Sequence, residues 1–582
     1  MSDEPAPPST PACPHPEAAG ARWGDLIRDE RQAQLQGILD AWDTPNADHG
    51  DRQGPFDGVR LSGADASWLA ERSGRDEFGR APNLHVEGAI LGGAHLEGAY
   101  LIGAHLEGTN LREAHLEGAL LRGAHVERAD LFQTHLERAD LSYAHLEGAN
   151  LFAAHLEGAA LFQMHLEGAN LGGAHLEGAN LSGAHLERAD LDGTHLEGAD
   201  LISAHLEGAR LGGAHLEGAR LGDAHLEAAD LREAHLERAY VISAHLERAS
   251  LYSAHLEGAD LRGAHLERAI LWQAQLEGAD LRGAHLERAN LREAHLRETN
   301  LGGAQLEEAA LSAAHLEGAD LREAHLEGAD LTGAHLEGAD LREARLEGAL
   351  LRGATVDGKT ALAHATLAEP PTRLERLLNW WPFMRRTTSA ALGDIRWGGV
   401  GAVDLTAVRW DDVLRLGDER EAGWRDDAER HEAVVRAYRQ LAAQLRAQGM
   451  SEVADRFALR AQVRQRGVLL RRVRLGPYLF SGFLAVLAGY GYRPGRTIFW
   501  YLAVVAGFAA LYLRFGLVDG HPFNPVEALV FSLTSFHGRG FFPGGLPLDD
   551  PVSVLAAGEA VLGLLIEISF IATFTQRFFG AK

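Results

Sequence analysis

Histidine recurs at ten-residue intervals through the middle of the chain, and this spacing is the first pattern that could carry chemistry. Of the 30 histidines, 24 occupy positions from His85 to His335, and the series is interrupted only by Gln275 and Gln305. Most have a glutamate two residues later, as with Glu87 after His85. An imidazole beside a carboxylate can exchange protons near neutral pH, form an ion pair or bind a transition metal.

Three interpretations of this His-x-Glu repeat remain open from the sequence. In the first, a ten-residue unit was duplicated, and its His and Glu side chains are solvated or pair along one face. In the second, the histidines sense pH, since protonation of all 24 would change the charge of residues 84–358 from −26 to −2. In the third, rows of His and Glu capture metal ions, although repetition alone supplies no closed ligand set and no supporting hydrogen bonds. The sequence therefore assigns no metal site.

A second group of polar residues lies near the C-terminus, among apolar segments. Glu559 and Glu567 stand in an otherwise apolar run, where an unpaired carboxylate is costly, so both are candidate functional residues. The alternative is a structural role, in which the two acids are protonated or pair with Arg539 or Arg514. The candidate pore-loop residues, among which His537 is expected to form hydrogen bonds rather than bind metal, are Thr534, Ser535, Phe536, His537, Gly538, Arg539, Gly540 and Phe541.

A five-residue repeat must position the histidines. It runs from Leu84 to Gly358, which makes 55 units of the type AHLEG or ADLRG. The middle residue is Leu in 51 units and Val in four, and Ala stands two residues before it in 49 units. A period of five fits neither an α-helix nor a flat strand, so the chain must turn with each unit to keep Leu and Ala inside. The pattern therefore predicts a solenoid.

These units resemble the pentapeptide-repeat family, whose A(D/N)Lxx units form a right-handed, four-sided β-helix. The resemblance implies four units per coil and about 14 coils over residues 84–358. At about 4.8 Å per coil the rod would be about 65 Å long. A ten-residue recurrence would then place His-x-Glu on two opposite faces, as two imidazole ladders beside two carboxylate ladders.

The segments before the repeat are expected to protect its first coil, because open coils present unpaired strand edges. Residues 1–21 are acidic and proline-rich and predict a disordered tail without a secretory signal. Residues 22–83, with an amphipathic helix at 22–42, predict an N-terminal cap. Cys13 is the only cysteine, which excludes a disulfide framework and every multi-cysteine metal site.

The negative charge of the chain is concentrated in the repeat. Residues 84–358 hold 46 acidic and 20 basic residues, whereas the rest of the chain has a net charge of −1. Some pentapeptide-repeat proteins imitate DNA and bind topoisomerases, so the resemblance implies a rival function as an acidic binding protein. The histidines argue against DNA mimicry, because a side chain with a constant negative charge would imitate DNA better at their positions.

The region after the repeat predicts helices. Residues 359–423 are interpreted as a linker and 424–474 as an αα-hairpin that acts as a coupling element. Its helices are expected at Trp424–Gln448 and Ser451–Arg472, with Gly449 between them and Ser451 as the N-cap.

Residues 475–582 predict a membrane module. It comprises an interfacial helix at 475–492, spans at 497–518 and 552–575, and a pore loop at 525–547. Basic residues at 464–496 and again at Arg577 and Lys582 put both termini and the solenoid in the cytoplasm. The chain is thus expected to be a multi-pass protein of an inner or plasma membrane, with the loop at 519–550 outside.

The module resembles the pore of two-transmembrane potassium channels. A short helix, Pro525–Phe536, leads into a glycine-rich loop between the spans, and the order GYGYRPGR, span, FSLTSF and GEAVLGLL also resembles pentapeptide-repeat proteins that end in this module. The resemblance implies a homotetramer. The filter departs from the family: Gly538 and Gly540 are present, but Arg539 replaces the aromatic of Gly-Tyr-Gly-Asp and the preceding Thr is absent.

The sequence therefore predicts a membrane ion channel, potassium-channel-like but with an atypical filter, whose cytoplasmic solenoid senses or scaffolds. The alternative is an acidic DNA-mimicking or protein-binding protein anchored to the membrane. Expected partners are ions, the lipid bilayer, further copies in a homotetramer and an unidentified protein on the solenoid, with no nucleic acid. No catalytic triad, phosphate loop or closed metal motif is evident, so neither enzyme activity nor a cofactor is expected.

Overall fold

The computed structural model of the chain describes residues 84–367, 428–488, 494–515, 517–518, 521–537 and 551–578, together with positions 33, 390, 392, 395, 405, 406, 408, 410, 413, 416 and 418. The tail expected at 1–21 and, apart from Ala33, the cap expected at 22–83 lie outside the described residues, as does most of the linker beyond residue 367. The chain divides into two compact units, residues 1–349 with 354–366 and residues 350–353 with 367–582.

The first unit contains a solenoid with four five-residue units per coil. One residue of each unit pairs in parallel with the residue 20 positions later, beginning with His85 and His105. The backbone N–H of Leu96 donates to the carbonyl of His115 at 2.7 Å, and His115 N–H donates to the carbonyl of Ala94 at 2.9 Å. Because this pattern recurs along the solenoid, the backbone N–H and carbonyl groups of each coil form hydrogen bonds with those of the next coil.

The solenoid continues past the expected end at residue 358. Asp340 pairs with Ala361 and Arg345 with Thr366, so the last pairings span 21 residues instead of 20. One extra residue is therefore accommodated near Lys359 while the stacking continues. The sequence predicted an end at residue 358 because the five-residue period is interrupted there.

Leucine and alanine fill the interior of the solenoid, as the period predicts. The Leu and Val column is 0–6% exposed, and nearly all the alanines two residues earlier are equally buried. Four threonines replace alanine in this buried column. Each donates its hydroxyl to a carbonyl 23 residues earlier, as Thr134 does to Leu111 at 2.8 Å. The interior thus accepts a hydroxyl because the coil below offers an acceptor.

The turn of each unit places its last residue in the left-handed region. Gly198 has φ +65°, and non-glycine residues at equivalent positions, such as Ala228 at φ 58°, take the same conformation. No atom lies within 4 Å of a Cβ added to Gly198, so larger side chains fit there sterically. Their cost is the backbone strain of this conformation.

The second unit contains six helices and one short β-hairpin in its described parts. The helices and strands, in chain order, are α1 (Ala428–Ala447), α2 (Ser451–Arg471), α3 (Leu475–Ala488), α4 (Pro494–Phe515), β1 (Leu517–Val518), β2 (His521–Pro522), α5 (Pro525–Phe536) and α6 (Pro551–Phe578).

The hairpin of α1 and α2 turns at Gly449, which has φ +79°. Met450 N–H donates to the carbonyl of Leu445 at 3.0 Å, which closes the end of α1. The expected N-cap was wrong: Met450 occupies that position without a side-chain hydrogen bond, and Ser451 is the first residue of α2. The reversal is fixed by the C-terminal turn of α1, and no serine cap is needed.

Two helices of this unit are long and apolar enough to cross a membrane. They are Thr497–Phe515 within α4 and Pro551–Ile568 within α6. The first span does not reach Val518 as expected, because α4 ends at Phe515 and Val518 pairs with His521 in the short hairpin of β1 and β2. The interfacial helix expected over 475–492 is helical to Ala488, and residues 489–492 lie outside the described residues.

Candidate functional sites: the histidine ladders and the two-span module

The imidazole rings stack in two columns, which we call ladder A and ladder B. Ladder A runs without interruption through eleven histidines from His85 to His285, and ladder B through nine from His95 to His255. Neighbouring rings in these runs have centroids 4.5–5.0 Å apart and are nearly parallel, as in His145 and His165. The spacing is that of the coils, so the backbone dictates it.

Most ladder histidines lie beside the glutamate two residues later. Nδ1 of His145 is 3.4 Å from Oε1 of Glu147, and most other pairs have the same geometry. In ladder A, His325 instead lies 3.3 Å from Glu307 of the preceding coil. A glutamate can therefore serve the histidine of its own coil or of the next.

These contacts change the pKa values of His105 and Glu107, a pair near the start of ladder A. The hydrogen bond to Glu107 raises the pKa of His105 above its usual value, although burial of the ring acts in the opposite direction. Burial acts to raise the pKa of Glu107, but hydrogen bonds from His105 and from its own backbone N–H lower it overall. At this pair, the charged forms of both side chains are favoured.

The ladders also bring potential metal ligands together. A His, its Glu and the His of the next coil, such as His145, Glu147 and His165, have ligand atoms within 4.8 Å of one another. Fifteen groups of three or more His, Cys, Asp or Glu residues that could hold a metal ion occur among the described residues, including five of this type. The solenoid thus repeats one constellation along two faces.

In the second unit, α5 packs against both α4 and α6. Its start is fixed by Asn524, whose side chain accepts from the N–H groups of Val526 and Glu527 at 3.0 and 2.9 Å. Glu527 accepts from Asn524 N–H in return, which completes a capping box. Gly563 of α6 lies against the C-terminal end of α5, because a Cβ at 563 would overlap the carbonyl oxygen of Phe536.

The two candidate acids of α6 have different partners. Glu559 is fully buried and contacts the hydroxyls of Tyr512 and Ser532. Glu567 is partly exposed and contacts Nδ1 of His537. Arg514 lies over the ring of Phe515 instead, and Arg539 is outside the described residues. Of the structural alternatives for the two acids, pairing with Arg514 is not observed among the described residues.

His537, the residue that follows α5, links α4 and α6. Its Nε2 is 3.2 Å from the Tyr501 hydroxyl, while Nδ1 contacts Glu567. The three side chains open onto a mostly apolar pocket, which is also lined by Thr497, Ile498, Ile566, Phe570 and Ile571. Of the other candidate pore-loop residues, Thr534 donates to carbonyls of its own helix and Ser535 and Phe536 are buried, whereas Gly538, Arg539, Gly540 and Phe541 lie outside the described residues.

Sequence reasoning missed Tyr501, Tyr512, Ser532 and Gly563 as parts of this site. A signal existed for three of them, since a polar side chain in an apolar helix needs a partner. No signal indicated which acid each hydroxyl would contact, because the sequence does not show how the loops between α4, α5 and α6 bring these helices together. The role of Gly563 depends on one interhelical contact and has no local signature.

Comparison with known proteins identifies the repeat. The family model described as pentapeptide repeats matches eight copies within residues 89–358. No curated protein matches the chain.

Several solved structures match the chain. Rfr23 from the cyanobacterium Cyanothece 51142 is 42% identical over 17% of this chain and 62% of its own, with a TM-score of 0.14. The match therefore spans less than two thirds of Rfr23. HetL from Nostoc sp. strain PCC 7120, a protein involved in heterocyst differentiation regulation, is 35% identical over 42% of this chain and 86% of its own, with a TM-score of 0.12.

A third match is a pentapeptide-repeat protein of the Arabidopsis thaliana thylakoid lumen, which is 30% identical over 19% of this chain and 81% of its own, with a TM-score of 0.13. The family model agrees with the buried Leu and Ala columns and the 20-residue coil. Through residues 89–358, the chain therefore belongs to the pentapeptide-repeat family.

Proposed function

We propose that this chain is a membrane protein that conducts ions through an assembly of its α4–α6 module, with the solenoid as a cytoplasmic sensing or scaffolding domain. The observation that carries the proposal is the packing of the short helix α5 between α4 and α6, with polar side chains at its C-terminal end. A short helix that points its end toward polar groups is the arrangement used by re-entrant pore loops.

The exposed surface of the module supports a membrane location. Only 17% of the apolar segment of α4 and 28% of that of α6 are buried. Phe499, Leu502 and Leu564 are 63%, 59% and 56% exposed. Apolar side chains so exposed on two long helices favour burial in lipid or against further copies of the module.

The charge pattern supports a cytoplasmic solenoid. Arg471, Arg472 and Arg474 precede α3, and Arg577 and Lys582 follow the apolar part of α6. Basic residues are enriched in cytoplasmic loops, so both termini are assigned to that side of an inner or plasma membrane.

The stoichiometry and filter are carried by the resemblance to two-transmembrane potassium channels. Four copies around an axis would bring four glycine-rich loops together. Because Arg539 replaces the aromatic residue of the filter, its four cationic side chains would oppose cations wherever they face the pathway. The acidic solenoid supplies a surface for a basic or otherwise complementary protein partner.

The test uses the full-length chain purified in detergent and reconstituted into vesicles. The proposal expects the chain to need detergent and the vesicles to pass ions, and it expects Arg539→Tyr to shift permeability toward cations if Arg539 faces the pathway. A chain that stays monodisperse in plain buffer would overturn the membrane assignment. A chain that needs detergent but leaves vesicles impermeable would favour the membrane-anchored binding protein instead.

A further inference from the structure

The glutamates fix the tautomer of the ladder histidines. In His145, Nδ1 lies 3.4 Å from Oε1 of Glu147. An ionised carboxylate only accepts hydrogen bonds, so the proton of the neutral ring is on Nδ1 and the lone pair is on Nε2. The side chain of His145 is 35% exposed, and within the described parts of the chain its Nε2 has no hydrogen-bond partner. Ladder rings with the geometry of His145, His85 not included, therefore present an unprotonated nitrogen outside the solenoid.

The carboxylate also supplies the support that a metal ligand needs. Histidines that bind metals usually donate their other ring N–H to a carboxylate, which orients the ring and makes the ligand nitrogen more basic. The sequence alone left this supporting hydrogen bond open, and the His–Glu contacts provide it at successive coils, as in His155 and Glu157 at 3.5 Å and His175 and Glu177 at 3.2 Å.

The spacing between rings limits how an ion could be shared. A metal–imidazole bond is about 2.0–2.1 Å, so two nitrogens on one ion lie at most about 4.2 Å apart. Ring centroids in the ladders are 4.7–5.0 Å apart over most of their length, and the rings are parallel. Neighbouring rings must therefore tilt toward each other by a small angle. The pair His295 and His315 is already tilted by 36° with centroids 5.0 Å apart, so the solenoid accommodates such a change.

We propose that neighbouring coils of the solenoid bind borderline divalent transition metals of the Zn²⁺ class, each ion held between the Nε2 atoms of two histidines 20 residues apart, with the glutamates at Nδ1 as supporting groups and water as the remaining ligands. Imidazole is a ligand that such ions prefer over hard cations. The net charge of −26 over residues 84–358 raises the local concentration of any cation at these faces.

The number of ions follows from the uninterrupted runs. Eleven consecutive histidines in ladder A give five separate pairs, nine in ladder B give four, and His295, His315 and His335 give one. His325 stands between Gln305 and Arg345 and has no histidine neighbour in its ladder. The proposal therefore sets a limit of about ten ions per chain.

The experiment compares two variants of the full-length chain with equal numbers of histidines. Glutamine is the replacement, because the chain itself places Gln275 and Gln305 in the ladders. The alternate variant leaves six isolated rings in the long run of ladder A and carries His105→Gln, His145→Gln, His185→Gln, His225→Gln and His265→Gln. The block variant leaves six adjacent rings from His105 to His205 and carries His85→Gln, His225→Gln, His245→Gln, His265→Gln and His285→Gln.

Zn²⁺ alone is titrated into each protein in detergent, at a pH above the pKa of free imidazole. A parallel titration with Mg²⁺ controls for attraction of cations to the carboxylates. Bound ions are counted by equilibrium dialysis with elemental analysis, and folding is checked by circular dichroism. The block variant retains three separate pairs in this run and the alternate variant none, so we expect the alternate variant to bind three fewer Zn²⁺ ions.

Equal Zn²⁺ counts in the two variants would overturn the proposal, because single imidazoles would then account for binding. A Zn²⁺ count no higher than that for Mg²⁺ would also overturn it. If either variant is misfolded, the same comparison is made on ladder B. The alternate variant then has glutamine in place of His115, His155, His195 and His235. The block variant has glutamine in place of His195, His215, His235 and His255. There the alternate variant is expected to bind two fewer ions.

Discussion

Tyr512 of α4 donates a 2.8 Å hydrogen bond to Oε2 of Glu559 in α6, and both side chains are fully buried. The other carboxyl oxygen contacts Ser532, whose hydroxyl is also 2.8 Å from the carbonyl of Val505. The serine has one proton and the carbonyl only accepts. The full set of bonds is therefore satisfied when Glu559 is a neutral acid that donates to Ser532.

This protonation state predicts that Glu559→Gln is tolerated, because an amide can donate to Ser532 and accept from Tyr512. Glu559→Ala removes the acceptor of the buried Tyr512 hydroxyl, whereas Ser532 keeps the carbonyl of Val505. We expect this variant to lower the free energy of unfolding by about 1–3 kcal/mol. Thermal unfolding in detergent measures both variants. Equal damage from Gln and Ala would show that the group is an ionised carboxylate.

The contact between Gly563 and the carbonyl of Phe536 predicts a sharp effect of one methyl group. Gly563→Ala places a Cβ into that carbonyl and is expected to separate α5 from α6 at a cost of about 1–3 kcal/mol or more. Gly558→Ala in the same helix is the matched control, because no atom lies within 4 Å of its added Cβ. The midpoint temperature of unfolding should fall for Gly563→Ala and not for Gly558→Ala. If the proposed function holds, the ion permeability of reconstituted vesicles should follow the same pattern. Equal effects of the two variants would refute the contact.

Left-handed alanines in the solenoid predict a gain in stability. Ala153, Ala228 and Ala313 have φ values of 54°, 58° and 57°, a conformation that costs about 1–2 kcal/mol for a non-glycine residue. Replacement by Gly removes this strain but increases the entropy of the unfolded chain by about 0.4–1 kcal/mol. We expect a net gain of up to about 1.6 kcal/mol at each site, measured by thermal unfolding. Ala229→Gly in the buried column is the control and should destabilise instead.

The His105–Glu107 pair predicts a pH window of stability. Because the pKa of His105 is raised on folding, its contribution is complete below the unfolded value near 6.5 and is lost as pH rises through the folded value. Because the pKa of Glu107 is lowered, its contribution is complete above about 4.5 and is lost as pH falls through the folded value. The pair is therefore most stabilising between these limits.

His105→Gln is accordingly expected to destabilise the solenoid more at mildly acidic than at alkaline pH, by about 0.2–1 kcal/mol for this partly exposed pair. Denaturant unfolding at several pH values is the measurement. A loss of stability that is the same at every pH would show that packing, and not the charge of His105, is responsible.

Much of the solenoid is predictable from the sequence, because the inward columns repeat so strictly that only a turn in every unit can bury them. The resemblance to a known repeat supplied the number of units per coil, which the period alone did not determine. The continuation to Thr366 was missed, since the extra residue near Lys359 disrupts the count of five without disrupting the stacking.

The helical module was harder to predict because its important contacts join distant segments. The bounds of α5 follow from local signals, namely Asn524 as the cap and Pro525 in the first turn. The partners of Glu559 depend instead on how α4, α5 and α6 are packed. Likewise, the end of α4 is set by the pairing of Val518 with His521, which hydrophobicity does not encode.

The 20-residue coil built from a ten-residue unit has a consequence for how such genes can change. Loss or gain of ten residues advances the winding by half a turn, so that each imidazole column continues with the histidines of the opposite column and neither is broken. A five-residue slip would instead set histidines over the Asp, Asn and Arg positions. Recombination can therefore adjust the length in increments of about 2.4 Å without disturbing the chemistry of either face.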